Sequence, residues 1–182
     1  MKKLEKDVER VLLTKEEIAT RVTEMAAEMS DAYQGKEVVM VCILKGSVTF
    51  FADLVREVSF PAVYDFMCVS SYGCGAVSCG NIRILKDLTV DIANKHVLIV
   101  EDILDTGNTL SALFEQLNAR KPASLKLCTL LDKPDRRTKP IQADFTGFSI
   151  PDEFVIGYGL DYNEKYRQLP YVGILKRSVY EK

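Results

Sequence analysis

The sequence predicts an α/β fold, in which helices flank a twisted and mostly parallel sheet. Two continuous apolar runs, at residues 38–44 and 97–100, are typical of strands that are buried on both faces of such a sheet. Segments with the apolar spacing of helices separate the strand-like runs, which favours right-handed crossovers between parallel strands. Several of these runs end in polar residues, and open parallel sheets bind ligands outside the carboxyl ends of their strands.

The first clear helix is predicted to begin after Thr14, which can form a capping box with Glu17. Apolar residues then follow at helical spacing, and Gly35 closes the segment. A second helix is predicted from about residue 48 to residue 58, because Pro61 breaks the helical pattern that begins after the first buried strand.

Further strands are predicted at residues 62–70, 81–86, 124–131, 154–158 and 171–175. Residues 70–80 read SSYGCGAVSCG, which is the composition of a flexible loop. A helix over 108–118 is indicated by apolar residues at helical spacing, namely Leu110, Leu113, Phe114 and Leu117. Because no repeat or linker interrupts the pattern, residues 1–182 are expected to form a single domain, with a small flap from the first and last segments.

The composition is that of a globular chain, with 47% hydrophobic and 27% charged residues. The formal net charge of −2 offers no broad basic surface to nucleic acid or to a membrane. No apolar run approaches the ~20 residues of a membrane-spanning helix. The first residues, MKKLEKDVERVLLTKEE, are too charged for the apolar part of a signal peptide. We therefore expect a cytoplasmic protein that binds neither nucleic acid nor membranes.

Neither the cysteines nor the histidine predict a metal site. Three of the five cysteines lie inside apolar runs, where cysteine acts as a small buried hydrophobe. Cys74 and Cys79 lack the spacing of a zinc-ligand pair, so free thiols are expected throughout. His96 is the single histidine, which excludes a site with several histidine ligands.

Polar clusters follow five of the predicted strands, at the point where each strand ends. They are Lys45-Gly46-Ser47, Ser71-Tyr72-Gly73, Glu101-Asp102 with residues 105–109, Asp132-Lys133, and Asp161 with Arg167. Because the carboxyl ends of parallel strands meet at one edge of the sheet, we expect these clusters to lie close together. Any one of them is compatible with a solvated loop, but together they predict a ligand site.

The stretch from Asp105 to Thr109 has the residues needed to hold a phosphate. Gly107 lets the backbone approach a ligand closely, and Thr106 and Thr109 provide hydroxyl donors. The amides at a helix N-terminus are unpaired and attract anions. A structural alternative is that Thr106 or Asn108 caps the following helix, and capping is compatible with phosphate binding.

Glu101 and Asp102 follow the buried apolar run directly and would repel each other without partners. Such a pair suits the two hydroxyls of a ribose, or a divalent cation. The nucleotide-binding pattern GxxxxGK[ST] is absent, which excludes a P-loop. Gly73 and Gly75 match only a fragment of a dinucleotide fingerprint, and no helix follows them.

These residues closely resemble the purine phosphoribosyltransferases of the hypoxanthine/guanine type. The stretch VLIVEDILDTGNTL, residues 97–110, is similar almost throughout to that family's motif for binding 5-phosphoribosyl 1-pyrophosphate. Family segments also match, in the family's order, at LKGS (44–47), SSYG (70–73), LKDL (85–88), LLDKPDRR (130–137) and residues 150–173. The resemblance covers roughly residues 8 to 178 and implies the type I phosphoribosyltransferase fold.

The resemblance implies transfer of a phosphoribosyl group from 5-phosphoribosyl 1-pyrophosphate to N9 of hypoxanthine or guanine, with a nucleoside monophosphate and pyrophosphate as products. It also implies a Mg²⁺ cofactor and a homodimer or homotetramer. The transition state of this reaction resembles a ribosyl oxocarbenium ion. Catalysis would therefore consist of positioning, stabilising the leaving group and managing one proton.

The resemblance assigns roles to individual residues. The substrate-binding residues that it implies are Lys45, Gly46, Ser71, Tyr72, Glu101, Asp102, Ile103, Leu104, Thr106, Gly107, Asn108, Thr109, Lys133, Phe154, Val155 and Arg167. Asp105 would be the catalytic general base or acid at the purine N7. Asp161 would hold Mg²⁺ through water, and Glu101 and Asp102 are additional candidate ligands.

Within this set, the residues divide by the part of the substrate that they would meet. The two adjacent acids would hold the ribose hydroxyls, residues 105–109 the 5′-phosphate, and Lys45 with Arg167 the pyrophosphate. Ser71 and Tyr72 would belong to a mobile loop that closes over the pyrophosphate. Lys133 would donate to the 6-oxo group of the purine, which disfavours adenine. The Phe154 ring would stack on the base, and Val155 would offer backbone groups to the edge of the base.

The family pattern also gives expectations for the backbone and for local differences. The peptide bond before Lys45 is expected to be a non-proline cis bond. Asn108 stands where some relatives have lysine, so the phosphate would rely more on amides and hydroxyls. Cys74 and Cys79 are not part of the pattern and receive no role.

The main alternative is a regulatory protein of the same fold that senses phosphoribosyl pyrophosphate without catalysis. Such regulators usually add a nucleic-acid-binding module or a basic face, and neither the length nor the charge of this chain leaves room for one. An aspartic protease half shares the triplet Asp105-Thr106-Gly107, but its fold is all-β. A signalling receiver domain carries its acidic pair after the first strand, whereas this pair lies mid-chain.

Overall fold

The computed structural model describes residues 2–72 and 81–181. Its helices are α1 (Lys2–Glu5), α2 (Lys15–Ala32), α3 (Val48–Leu54), α4 (Asn108–Asn118) and α5 (Arg177–Tyr180), with a 3-10 turn at Pro134–Arg136. Its strands are β1 (Val8–Leu13), β2 (Val38–Leu44), β3 (Ala62–Tyr72), β4 (Asn81–Lys86), β5 (His96–Leu104), β6 (Ser124–Asp132), β7 (Phe145–Ser149), β8 (Val155–Ile156) and β9 (Val172–Leu175).

Six of these strands form the main sheet in the order β4-β3-β2-β5-β6-β7. All neighbouring pairs in this sheet are parallel except β3 with β4, which places one antiparallel strand at an edge. The predicted mostly parallel sheet with flanking helices is therefore confirmed. The remaining strands form a small antiparallel sheet in the order β1-β9-β8, which joins the first and last segments as the predicted flap.

The residues of β2 show why the main sheet is buried on both faces. Val38, Met40 and Cys42 pack with residues of α2 and α3, whereas Val39, Val41 and Ile43 pack with residues of α4. Successive strand residues point to opposite faces of a sheet, so a strand covered on both sides needs an uninterrupted apolar run. The apolar continuity of this strand is therefore the reason that it occupies the centre of the fold.

The predicted start of α2 is confirmed in atomic detail. The amide of Glu17 donates to Thr14 Oγ1 at 3.2 Å, and the amide of Thr14 donates to Glu17 Oε2 at 2.8 Å, which completes the capping box. The predicted bounds of α4 are also confirmed. The helix α3 ends at Leu54 instead of near residue 58, because the amides of Arg56 and Glu57 bond to carbonyls only three residues back and form turns.

Several strands differ from their predicted bounds. β5 continues beyond the apolar run to Leu104, because β6 pairs with it as far as Asp132. The strand predicted at 154–158 is only two residues long and belongs to the small sheet, so placing it in the main sheet is wrong. The sequence pattern does not predict β1 or β7. β3 includes Ser71 and Tyr72, and the rest of the predicted flexible loop, residues 73–80 with both of its cysteines, lies outside the described residues.

Two further expectations concern thiols and membranes. Cys42 and Cys128 are buried, Cys68 is half-buried, and all three are free thiols. Within the two described ranges, no helix has the length and apolar character needed to cross a membrane.

Asp65 is a buried carboxylate in β3 that ties the segment after β4 to the main sheet. It is 2% exposed and accepts hydrogen bonds from the amides of Phe66, Thr89 and Val90, at 2.7, 2.6 and 2.9 Å. Burial raises the pKa of this carboxyl, but the hydrogen bonds outweigh burial and lower the pKa from 3.8 to about 2. The ionised carboxylate therefore stabilises the fold above the unfolded-state pKa, and this contribution is lost as the pH falls towards the folded-state pKa.

We expect this pH-dependent contribution of Asp65 to amount to about 2 kcal/mol at neutral pH. Urea unfolding of the Asp65→Asn variant and the wild type, followed between about pH 5 and about pH 2, measures it. The difference in unfolding free energy should shrink as the pH falls. The exposed Asp31, substituted in the same way, is the matched control and should show no such pH-dependent difference. A gap between Asp65→Asn and wild type that does not change with pH would contradict the prediction.

Candidate active site

Asp105 lies between two adjoining cavities at the carboxyl edge of the main sheet. The first, which we call the helix cavity, has a volume of about 390 Å³ and includes Glu101, Thr106, Gly107 and Thr109 among its lining residues. The second, the aromatic cavity, has a volume of about 380 Å³ and is lined by Ile103, Asp105, Lys133, Arg136, Asp152, Glu153, Phe154, Val155, Leu160 and Tyr180. Ile103 and Asp105 line both cavities, so a ligand that spans them passes this carboxylate.

The N-terminus of α4 faces the helix cavity, and Gly107 is its N-cap residue. This glycine has a φ of +83°, and a Cβ added to it would lie 2.6 Å from Ile141 Cγ2, so both the backbone and the space require glycine. Gly107 is the N-cap residue, so the alternative that Asn108 caps the helix is wrong. Thr106 Oγ1 accepts a hydrogen bond from the amide of Asn108, the first residue of α4, at 3.4 Å, so the Thr106 hydroxyl does meet one of the free amides of this helix end. Phosphate binding by this turn stays a prediction.

Asn108 and Leu104 are predicted substrate-binding residues that line neither cavity. Thr138 Oγ1 donates to Asn108 Oδ1 at 3.3 Å, and Asn108 lines a separate cavity with Ser111. Leu104 is buried in the core, and its carbonyl accepts the amide of Lys133 at 3.0 Å. Substrate binding by Asn108 and Leu104 stays a prediction.

Asp102 is held where β2 and β5 end side by side. Its amide donates to Ser47 Oγ at 3.0 Å, and its Oδ1 accepts the amide of Ile103 at 2.8 Å. A Cβ added to Gly46 would lie 1.7 Å from Asp102 Oδ2. The glycine after Lys45 is therefore needed to give this carboxylate its room.

Glu101 lacks a partner of the kind that a buried carboxylate oxygen needs. Glu101 Oε2 is enclosed and has no hydrogen-bond partner among residues 2–72 and 81–181. Burial, and then the neighbouring Asp102, raise the pKa of Glu101 well above its usual range. Burial also raises the pKa of Asp102, against the opposing effects of hydrogen bonding, including the bond from the Ile103 amide, and of the Arg167 charge. A ligand with hydroxyl donors, or a cation, would satisfy this pair.

Two arginines that the sequence did not single out hold Asp105. Arg136 Nε donates to Asp105 Oδ1 at 3.1 Å, and Arg136 Nη1 lies 3.6 Å from Asp152 Oδ2. Arg137 donates to the carbonyl of Asp105 and to the carboxylate of Asp132. In the sequence, the two adjacent arginines shortly after Lys133 are the signal that could have indicated partners for Asp105.

The far wall of the aromatic cavity carries the residues predicted to meet a base. Lys133 is 7% exposed, and its Nζ donates to the carbonyl of Glu153 at 2.7 Å and lies 3.9 Å from Asp152 Oδ1. Burial lowers the pKa of Lys133, and nearby carboxylates oppose this shift. The Phe154 side chain is exposed at the cavity, while Val155 is buried in β8.

The peptide bond between Leu44 and Lys45 is cis, which confirms the expected geometry. A third group of charges lies around this bond. Lys45 Nζ lies 3.2 Å from Glu164 Oε1, and Arg167 Nη2 lies 3.3 Å from Glu164 Oε2 and 2.8 Å from Asp161 Oδ1. The amide of Glu164 donates to Asp161 Oδ2 at 2.8 Å. Glu164, which no pattern in the sequence indicates as a site residue, therefore bridges the two side chains predicted to bind pyrophosphate, Lys45 and Arg167.

The charged group around Glu164 is connected to the acidic pair by the packing of Gly159 against Gly46. Arg167 Nη1 donates to the carbonyl of Gly159 at 2.8 Å, and a Cβ added to Gly159 would lie 2.0 Å from the carbonyl oxygen of Gly46. Asp161 and Arg167 come from the loop between β8 and β9, so their predicted place at the end of a main-sheet strand is wrong. They nevertheless lie beside the main-sheet clusters, because this loop packs against Gly46.

Ser71 and Tyr72 are the last residues of β3, and their side chains lie outside the described residues. The neighbouring Ser70 lines the helix cavity, so this strand also ends at the site.

The described part of the chain holds no cluster of three or more side chains that could bind a metal by themselves. Mg²⁺ is commonly bound by one or two carboxylates together with substrate phosphates and water. The carboxylate of Asp161 and the unpartnered oxygen of Glu101 are compatible with such a partial set of ligands.

Comparisons with known proteins agree with this geometry. Residues 11–163 match the family model of the phosphoribosyl transferase domain. A hypoxanthine-guanine phosphoribosyltransferase of Staphylococcus epidermidis is 52% identical over 179 residues, which span 98% of this chain and 100% of that relative. The Bacillus subtilis enzyme of the same name is 49% identical over 175 residues, which span 96% and 97%. A crystal structure of a hypoxanthine phosphoribosyltransferase from Staphylococcus aureus superposes with a TM-score of 0.96 at 51% identity, covering 98% and 97% of the two chains. Identity of this extent over almost the whole length shows that this chain belongs to the hypoxanthine-guanine phosphoribosyltransferases of the phosphoribosyl transferase domain family.

Proposed function

We propose that this protein transfers the 5-phosphoribosyl group of 5-phosphoribosyl 1-pyrophosphate to N9 of hypoxanthine and of guanine, as a step of purine salvage. The products are IMP or GMP and pyrophosphate. The observation that carries the proposal is the place of Asp105 between the helix cavity and the aromatic cavity. The names of the relatives that match nearly the whole chain support the same reaction.

In this proposal the helix cavity takes the ribose 5′-phosphate. The amides and hydroxyls between Thr106 and Thr109 bind the phosphate, because the N-terminus of α4 attracts anions. Glu101 and Asp102 accept the two ribose hydroxyls, which gives the unpartnered Glu101 oxygen a donor. Holding the sugar at both ends fixes C1′ between the leaving group and the base.

The aromatic cavity takes the purine. The ammonium group of Lys133 has three donors, of which one is used by the Glu153 carbonyl, so another can donate to the 6-oxo group. The Phe154 ring stacks on the base, and backbone groups of Val155 read its edge. Asp105 lines the same cavity and accepts the N7 proton.

The pyrophosphate lies against Lys45, Gly46 and Arg167, and binding by Ser71 and Tyr72 stays a prediction. Asp161 would hold Mg²⁺ through water, with Glu101 and Asp102 as additional candidate ligands, and the bound ion would supply positive charge to the leaving pyrophosphate. The base N9 forms the new bond to C1′ while the bond from C1′ to the pyrophosphate oxygen breaks. The pyrophosphate leaves with that electron pair, and the proton of N7 passes to Asp105.

The proposal also includes the domain organisation, the oligomeric state and the cellular location of the protein. Residues 1–182 act as one domain, in a cytoplasmic homodimer or homotetramer. A regulator without catalysis is not favoured, because the relatives that match nearly the full chain are named as transferases.

A panel of bases tests the proposal. The protein is mixed with 5-phosphoribosyl 1-pyrophosphate, Mg²⁺ and one of hypoxanthine, guanine, xanthine or adenine, and nucleoside monophosphate is measured by chromatography. We expect turnover of hypoxanthine and guanine and little turnover of adenine, because the 6-amino group of adenine is a donor that would face the Lys133 donor. Absence of turnover with every 6-oxopurine would favour the regulator. Turnover of adenine alone would remove Lys133 from base recognition.

A further inference from the structure

The Phe154 ring belongs to a cluster of three aromatic side chains at the aromatic cavity. The ring of Tyr180 is stacked on it, with centroids 5.0 Å apart and an interplanar angle of 25°. Tyr162 meets the Phe154 ring edge-on, at 5.5 Å and 88°, and lies 6.5 Å from the Tyr180 ring. Stacked and edge-on pairs are the favoured arrangements of aromatic rings, so the three rings hold one another in place.

Tyr180 also lines the aromatic cavity itself, together with Ile103 and Lys133. It comes from α5, which belongs to none of the strand-end clusters. A planar base that enters this cavity therefore meets Tyr180 as well as Phe154.

The backbone fixes the position of α5 relative to Phe154. The amide of Leu175 donates to the carbonyl of Phe154 at 2.8 Å, through the pairing of β8 with β9. The amide of Lys176 donates to the carbonyl of Asp7 at 3.0 Å, which ties α5 to the segment before β1. Val179 packs into the apolar cluster of the small sheet. The Tyr180 ring is thus presented by an anchored segment.

We propose that Tyr180 is a positioning residue for the purine, which forms a wall of the base site and holds the Phe154 ring in the plane needed for stacking. The inference rests on the proposed function of the aromatic cavity. The exposed Phe154 side chain would otherwise lose rotational freedom only when the base binds, and ordering it in advance strengthens binding. The benefit applies to the purine, because the phosphoribosyl donor lies in the helix cavity.

If Tyr180 obstructed the base site, the expected change in purine affinity would have the opposite sign. If the Tyr180 ring occupied the position of the base and had to leave before binding, removing the ring would strengthen purine binding. The sign of the change in purine affinity therefore separates a wall from an obstruction.

The test compares Tyr180→Ala, Tyr180→Phe and the control Ser178→Ala, which changes an exposed residue of the same helix outside the cavity. For Tyr180→Ala we expect the KM for hypoxanthine to rise about three- to tenfold, as for the loss of one aromatic pair, with the KM for 5-phosphoribosyl 1-pyrophosphate within about twofold of wild type. Tyr180→Phe should keep the wild-type KM, and Ser178→Ala should leave it unchanged.

Calorimetric titration with IMP gives a readout that does not need turnover. The Kd for IMP should rise by a similar factor in Tyr180→Ala, while Ser178→Ala and wild type agree. An unchanged or lowered KM and Kd in Tyr180→Ala would overturn the inference, as would an equal loss in Ser178→Ala. Failure of the proposed function is distinguishable, because the wild type would then turn over no 6-oxopurine.

Discussion

Replacing Asp105 with Asn is expected to lower the rate of the chemical step with hypoxanthine by about 10²- to 10⁴-fold, which is the usual contribution of a general acid or base. The affinity for 5-phosphoribosyl 1-pyrophosphate should change little. An amide cannot accept the N7 proton, but it keeps the size and shape of the carboxyl group. Single-turnover kinetics with saturating donor measures the rate, and calorimetric titration measures donor binding.

The contacts of Asp105 indicate that replacing it with Asn removes the proton acceptor and keeps the orientation of the side chain. Asp105 Oδ1 accepts a hydrogen bond from Arg136 Nε, and an amide oxygen at the same position can accept it too. The backbone of Asp105 is held independently, because Arg137 donates to its carbonyl. The side chain should therefore keep its orientation between the two cavities, and the loss of rate reports on the proton.

A matched control is available two residues beyond Lys133. Asp135 is exposed on the 3-10 turn, next to Arg136, and its replacement by Asn removes the same charge near the same site. We expect Asp135→Asn to stay within about threefold of the wild-type rate, as for a surface charge. An Asp105→Asn variant with the wild-type single-turnover rate would remove Asp105 from proton transfer.

Gly46→Ala is the second substitution with a large expected effect, and it acts through Asp102. The added methyl would lie 1.7 Å from Asp102 Oδ2 and 2.7 Å from its Cγ. The carboxylate cannot yield without giving up its bond from the Ile103 amide, and it is 8% exposed. We expect the acidic pair to be displaced from the ribose position.

Misplacement by about 1 Å can cost about 10²-fold in rate, so kcat/KM for 5-phosphoribosyl 1-pyrophosphate should fall at least about 10²-fold in Gly46→Ala. Steady-state kinetics measures this loss. Gly35→Ala is the control, since Gly35 has a φ of +73° but no atom within 4 Å of an added Cβ. It should lose some stability to backbone strain and keep its activity. A Gly46→Ala variant within threefold of wild type would contradict the overlap.

The parts of the fold that the sequence predicts are those with a local signal. β2 and the apolar start of β5 are predicted because burial on both faces demands a continuous apolar run. β7 is missed because it is a short edge strand that contains Gly147, whose added Cβ would lie 2.4 Å from the Leu130 carbonyl oxygen. The sheet to which β8 belongs is also missed, because that depends on its pairing with β9, which no local pattern encodes.

The residues of the site also divide into those with a local signal in the sequence and those without one. The acids and the turn before α4 are predictable because they directly follow a strong strand signal. Arg136, Glu164 and Tyr180 are missed because each resembles an ordinary surface or terminal residue in the sequence. Their relation to the site arises only when distant segments meet, as when the segment after β9 brings a tyrosine over Phe154.

The paired charges around the site bear on how it takes up an anion. Lys45 and Arg167 already share Glu164, and Arg167 also has Asp161. An arriving pyrophosphate group therefore exchanges one set of counter-charges for another, instead of neutralising bare cations. The affinity for such a ligand is a difference between two ion-paired states, and the free protein holds its basic residues in place without a strong positive field that would attract unrelated polyanions.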